Sequence, residues 1–365
     1  MMRSILLIYL ISLSTLFSSP LKDYPEPVFK IEIPPIPSKE FGKYDLSQHD
    51  VQFLSSTASK NVREGKLDLA IQFQYWAHQA NKNDGLYELA CYYSLNKNID
   101  ASVYYLQKAA ISEGTFYDFV IDDEDLIPVM NSKYWEQLRP WLKKCSYAWR
   151  NSGYSRINII EPQNKISKIL LIGLHGYGSK PEDFASPDDQ EFANKHQVTF
   201  VGISASLAME NNSFMWSENI PKDYKHITKL LKTKGINLAT ENRTIILIGF
   251  SQGAQLSTEI LARHPNLFKG IIALCPGAKY DSQLHKAKPK PNLGQKKAVI
   301  ICGAEEHSGN LKLSKSNFEW LRQHKAKVSY TKIEGMGHSF PNNYYLALED
   351  YLSYVLNDKV SNQAN

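Results

Sequence analysis

Cysteine is scarce in this chain, with four among 365 residues. Cys91, Cys145, Cys275 and Cys302 are too few for a disulfide scaffold, and no two stand at the close spacing of a thiolate zinc site. Cys275 and Cys302 end apolar runs and read as buried thiols, whereas Cys91 and Cys145 lie in a helical region and could pair if the chain is exported. A clustered basic face is also lacking. Lys+Arg number 42 against 37 Asp+Glu, a formal charge of +5, and the basic residues are scattered apart from Lys286, Lys288 and Lys290. That balance argues against a dedicated nucleic-acid binder. Beyond the start there is no apolar run near the ~20 residues of a membrane helix, so no stable span is expected. With 43% hydrophobic and 22% charged residues, disorder throughout is excluded. The length suits two domains at ~150 residues each.

The chain opens on Arg3 and thirteen mostly apolar residues, Ile5 to Phe17, followed by Ser18 and Ser19. This predicts a signal peptide over residues 1–19 and a secreted or periplasmic protein, with an uncleaved anchor as the alternative. Residues 20–47 carry Pro25, Pro27, Pro34, Pro35 and Pro37 with little periodicity, which predicts an extended linker. Over residues 48–153 apolar positions recur at helical spacing, as in Leu69, Phe73, Trp76, Ala77 and Ala80. The set Leu67, Asp68, Ile71, Ala77 returns as Ile99, Asp100, Val103, Ala109, 32 residues on and near the ~34 of tetratricopeptide repeats. This segment resembles such repeats, with Gly85 and Gly114 as turns, and a protein partner is an expectation for it. A plain helical hairpin is the alternative.

After Gly153 the pattern changes. Runs rich in branched apolar residues at 169–174, 198–203, 244–249, 270–274, 298–302 and 328–333 alternate with helical stretches at 222–233, 252–264, 312–324 and 344–356. That alternation predicts parallel strands with helical crossovers, and continuous apolar strands mean both sheet faces are covered. Residues 154–360 are therefore expected to form a three-layer α/β domain with a mainly parallel sheet, with 156–161 as an added edge strand.

The chemistry concentrates in Gly249, Phe250, Ser251, Gln252, Gly253. This G-x-S-x-G pattern joins an apolar strand to a helical stretch, the context of a nucleophile elbow. Side chains at either glycine would collide with so sharp a turn, which leaves Ser251 presenting its hydroxyl at the carboxyl edge of the sheet. A serine hydroxyl needs a base to act as a nucleophile near neutral pH. Of ten histidines, His338 lies in a small-residue loop just past the last expected strand. The third member should be a carboxylate after the strand at 298–302, and Glu305 and Glu306 are the candidates. For the oxyanion, Gln252 N–H at a helix start is one donor and Tyr177 N–H, in His175-Gly176-Tyr177-Gly178, is the choice for the second, with Gly178 next.

LHGYG, GFSQGA, the CGAEE turn and GMGHSFP, in this order, resemble the α/β-hydrolase superfamily, and GFSQGA is similar to the GFSQGG elbow of the phospholipase/carboxylesterase family. The resemblance implies a Ser251, His338 and acid triad that hydrolyses carboxylic esters or thioesters without a cofactor. Relatives usually place Asp fourth in a G-x-x-D turn, which favours Glu306 over Glu305. Ser179, Ala254 and the glutamate in place of Asp depart from the family pattern.

Between the strand at 198–203 and the next helix, Phe214, Met215 and Trp216 are consecutive. Met215 and Trp216, with His175, are expected to contact substrate, although Trp216 reads equally as a pin to the core and His175 as a brace for its loop. No metal is expected, since His175 has no second ligand at a suitable spacing. A small-molecule ester is thus the expected partner of a serine esterase. A peptidase with the same triad, or a binding protein using the helical half, are the alternatives.

Overall fold

The computed structural model describes residues 24–163, 166–217, 219–278, 282–287 and 291–357. The expected signal peptide, the first residues of the proline-rich segment, Lys288, Lys290 and the end of the 154–360 region lie outside the described residues. The chain separates into two compact units, one running to Tyr154 with Met209–Asn211 added, the other holding the rest.

The first unit is helical. Helices α1 (Val51–Arg63), α2 (Leu67–Ala80), α3 (Leu86–Leu95) and α4 (Ile99–Ser112) pack in succession, and α5 (Trp135–Asn151) packs on α4. Asp50 and Asn98 cap α1 and α4 by accepting backbone N–H bonds at the helix start. Their apolar stripes form one core around Leu54, Phe73, Leu89, Leu106, Leu138 and Trp141.

The proline-rich segment is more than a linker. Its proline-bearing stretch up to Ser38 is extended and is followed by a short hairpin, Glu40–Phe41 against Tyr44–Asp45, yet it packs against the helices of this unit. The Gln107 side chain accepts from Phe29 N–H at 2.9 Å and donates to Phe29 C=O at 3.1 Å. Trp141 Nε1 donates to Glu26 O at 2.6 Å and Trp76 Nε1 to Ser38 O at 2.9 Å. Backbone groups that no sheet or helix could pair are thus satisfied by side chains.

The second unit is an α/β layer structure. The strands of its main sheet are β1 (Ile157–Ile160), β2 (Ile169–Leu174), β3 (Val198–Ile203), β4 (Thr244–Phe250), β5 (Gly270–Leu274), β6 (Lys297–Gly303) and β7 (Lys327–Ile333). They form one sheet in the order β7-β6-β5-β4-β2-β3-β1, parallel except for β1, which runs antiparallel to β3 at the edge. The crossovers are α6 (Gln190–His196), α7 (Ile220–Thr233), α8 (Gln252–Arg263), α9 (Ser308–Gln323) and, at the end, α10 (Tyr344–Leu356). Strands β2 to β6 are almost wholly buried, because helices cover both faces. Among the described residues no helix is long and apolar enough to cross a membrane, and all four cysteines are buried and free.

Candidate active site

Strand β4 delivers Ser251 to the carboxyl edge of the sheet, and α8 starts at the next residue. The turn between them is so tight that Ser251 has φ +53° and ψ −118°. A serine holds that left-handed backbone only where its surroundings over-determine it. Here they do: Ser251 N–H donates to Leu274 O at 3.0 Å, and Ser251 O accepts from Gly277 N–H at 3.1 Å. A Cβ on Gly249 would stand 2.3 Å from Gly253 O, and one on Gly253 would stand 1.8 Å from Leu174 O. Both elbow glycines are therefore steric necessities.

Ser251 Oγ lies 2.8 Å from His338 Nε2. His338 sits in the loop between β7 and α10, its ring packed against Phe250 at 5.0 Å between centroids. Its Nδ1 is 2.9 Å from both oxygens of Glu306, in the turn between β6 and α9. The Glu306 side chain is fully buried while that of His338 is 37% exposed. One end of the imidazole thus meets a dry carboxylate and the other opens toward solvent. Glu305, the competing acid, is exposed, and His307 caps α9, accepting from Gly309 N–H at 3.2 Å.

Gln252 begins α8, so its N–H is among those a helix start leaves without an intrahelical acceptor. Tyr177 is half-buried in the loop after β2. That loop is fixed by Phe214 on both sides, Gly178 N–H donating to Phe214 O and Phe214 N–H to Ser179 O, each at 2.9 Å.

Two expected substrate contacts require correction. His175 is fully buried, with Nε2 accepting from Ala205 N–H at 3.0 Å and Nδ1 2.6 Å from Gly176 O. Burial lowers its pKa to about 4, so the neutral ring braces two loops and offers nothing to a ligand. Trp216 is 1% exposed, its Nε1 donating to His175 O at 2.9 Å. Of the three, Met215 alone reaches partly to the surface.

Several contributors leave little trace in the sequence. The Gln252 side chain accepts from Trp216 N–H and donates to Trp216 O, both at 3.0 Å, clasping the loop that carries Met215. Asp223, at the start of α7, accepts from Ser217 N–H at 3.2 Å and from the Ser206 hydroxyl. Burial raises it to about 6. Asn310 Nδ2 donates to Glu306 Oε2 at 2.9 Å, and a polar residue four positions after the acid, at a helix start, is the signal that finds it. Cys275 adjoins the acid, and burial, with Glu306 beside it, pushes its thiol up to about 12.

A mostly parallel sheet of this order, ending in such a turn, defines the class of α/β hydrolases. The sequence profile of the phospholipase/carboxylesterase family matches residues 155–356, more than half of the length, and the chain belongs to that family. It is accordingly a hydrolase of ester type. No curated protein matches the chain. Among solved structures, it is similar to a Bacillus cereus carboxylesterase (16% identity, 58% of this chain and 99% of the other, TM-score 0.45). It is also similar to Zea mays acyl-protein thioesterase 2 (14%, 56% and 100%, 0.42). A third is an uncharacterised protein from Bacillus cereus (14%, 85% and 100%, 0.43).

Proposed function

We propose that the protein is a serine esterase that cleaves carboxylic esters or thioesters through an acyl-enzyme, with Ser251 as nucleophile, His338 as base and Glu306 as acid. The observation that carries this reading is the continuous line from Ser251 Oγ to His338 Nε2 at 2.8 Å and from His338 Nδ1 to Glu306 at 2.9 Å. With Nδ1–H donated to Glu306, the Nε2 lone pair faces the serine hydroxyl, the tautomer a general base requires. His338 takes the hydroxyl proton as Oγ attacks the acyl carbon, and returns it to the leaving alcohol or thiol. A water molecule then repeats the sequence in reverse, its proton passing to His338 and on to Ser251 as the acyl bond breaks.

The N–H groups of Gln252 and Tyr177 are assigned to the oxyanion, since charge that develops in the transition state is stabilised by donors fixed beforehand. Met215 is assigned to the acyl or leaving group. The apolar run Ile5 to Phe17 behind Arg3 supports export, tested by sequencing the amino terminus of the mature protein.

Hydrolysis of short and long acyl p-nitrophenyl esters by wild type and Ser251→Ala tests the mechanism. Turnover is expected to fall by about 10⁴-fold or more in the variant. Equal turnover in a folded Ser251→Ala protein would overturn the assignment.

A further inference from the structure

Strand β5 is followed by Cys275, a fully buried residue in the left-handed region at φ +49°. Its backbone is pinned by an N–H bond to Ile301 O at 2.7 Å, and its Sγ lies 3.4 Å from Ser339 O. The strand end thus aims the thiol at the acid side of the Ser251–His338 pair. There the thiol sulfur, a Glu306 oxygen and a His338 ring nitrogen all lie within 4.8 Å of one another.

The donor set is one that zinc favours: one thiolate, one imidazole, one carboxylate. Tetrahedral zinc bonds of about 2.3 Å to sulfur and about 2.0–2.1 Å to nitrogen and oxygen place donor atoms roughly 3.4–3.6 Å apart. To reach that size the Nδ1-to-carboxylate separation of 2.9 Å must widen by about 0.5 Å, with the thiol sulfur, already within 4.8 Å of both, settling at the same spacing. The His338 side chain is 37% exposed whereas Cys275 and the Glu306 carboxylate are buried, so an ion would enter past the imidazole. The spacing 275, 306, 338 has no motif, which is why the sequence does not reveal the group.

We propose that Cys275, Glu306 and His338 form a reversible Zn²⁺ site and that the ion switches hydrolysis off. Binding releases the thiol proton to solvent, one per ion, with no change of oxidation state. A metal on Nδ1 requires the lone pair there, so the imidazole proton moves to Nε2. That nitrogen then donates to Ser251 Oγ and has no lone pair with which to accept its proton. Glu306 is engaged at the same time. The off-switch rests on the serine mechanism proposed above; the binding does not.

Two readouts test this on the full chain. Co²⁺ titrated into the protein should produce a near-ultraviolet thiolate-to-cobalt band that Zn²⁺ displaces. The band should persist in Ser251→Ala and vanish in Cys275→Ala and Cys275→Ser. In parallel, Zn²⁺ should inhibit p-nitrophenyl ester hydrolysis, with recovery on adding a chelator. Inhibition is read against each variant's own metal-free turnover, and Cys275→Ala should need about tenfold more zinc, or above, for the same fractional inhibition. If Cys275→Ala folds poorly, Cys275→Ser carries both comparisons. Absence of the cobalt band in wild type overturns the site, as does zinc sensitivity of both cysteine variants equal to that of wild type. A cobalt band in a protein that hydrolyses no ester supports the site and overturns only the switch.

Discussion

The two units put their buried polar side chains to different use. In the helical unit such side chains serve the backbone. Gln107 holds Phe29 by both main-chain groups, Trp149 Nε1 donates to Ala110 O at 2.9 Å, and Glu113 accepts from Leu86 N–H at the start of α3. At the sheet edge of the other unit they serve one another, in the order Asn310, Glu306, His338, Ser251. A side chain bonded to backbone completes a fold. A chain of side chains ending at a half-exposed hydroxyl leaves one proton acceptor directed outward, and that is what chemistry needs.

The contrast can be broken by substitution. The largest effect is expected at the acid, where Glu306→Gln should lower turnover by about 10³- to 10⁴-fold because the amide no longer fixes the base tautomer or balances its charge. Glu305→Gln should remain near wild type in the same assay, and the reverse ranking would move the acid one residue. Next comes Asn310→Ala. Losing a hydrogen bond to a buried carboxylate, about 1.5 kcal/mol, should lower kcat roughly tenfold while KM changes little. A change confined to melting temperature would make Asn310 a scaffold residue like those of the helical unit.

Gln107→Ala tests the other side. Turnover should be unchanged, while residues 24–38 exchange their amide hydrogens faster and stability falls by about 2 kcal/mol. The smallest effect is a slope. Burial raises Glu113 from 4.5 to about 8. Over that window the folded chain therefore binds more protons than the unfolded one, and stability falls as pH rises. Glu113→Gln should flatten this part of the stability profile, measured by urea unfolding at several pH values.

Much of the α/β unit is legible in the sequence because its strands are fully buried. Runs such as Ile169–Leu174 and Gly270–Leu274 are continuous in apolar residues, and glycines mark the elbow. The meeting of Ser251 and His338 is legible from chain order, since parallel strands bring every strand end to one edge. The seven-residue α6 is too short to announce itself by periodicity. The segment before residue 48 misleads for a physical reason: indole and amide groups from distant helices bind its backbone, and such bonds impose no pattern on the segment's own side chains. Trp216 and His175 mislead likewise, because a loop residue's burial depends on what folds over it.

The clasp between Gln252 and Trp216 has an evolutionary consequence. It grips peptide groups and is indifferent to which side chain stands at the neighbouring position. On the proposed role of Met215 beside the acyl or leaving group, substitutions there would change substrate preference without loosening the clasp. Gln252 itself is constrained, because its loss would free the loop that carries Met215 and disturb the start of α8 in one step.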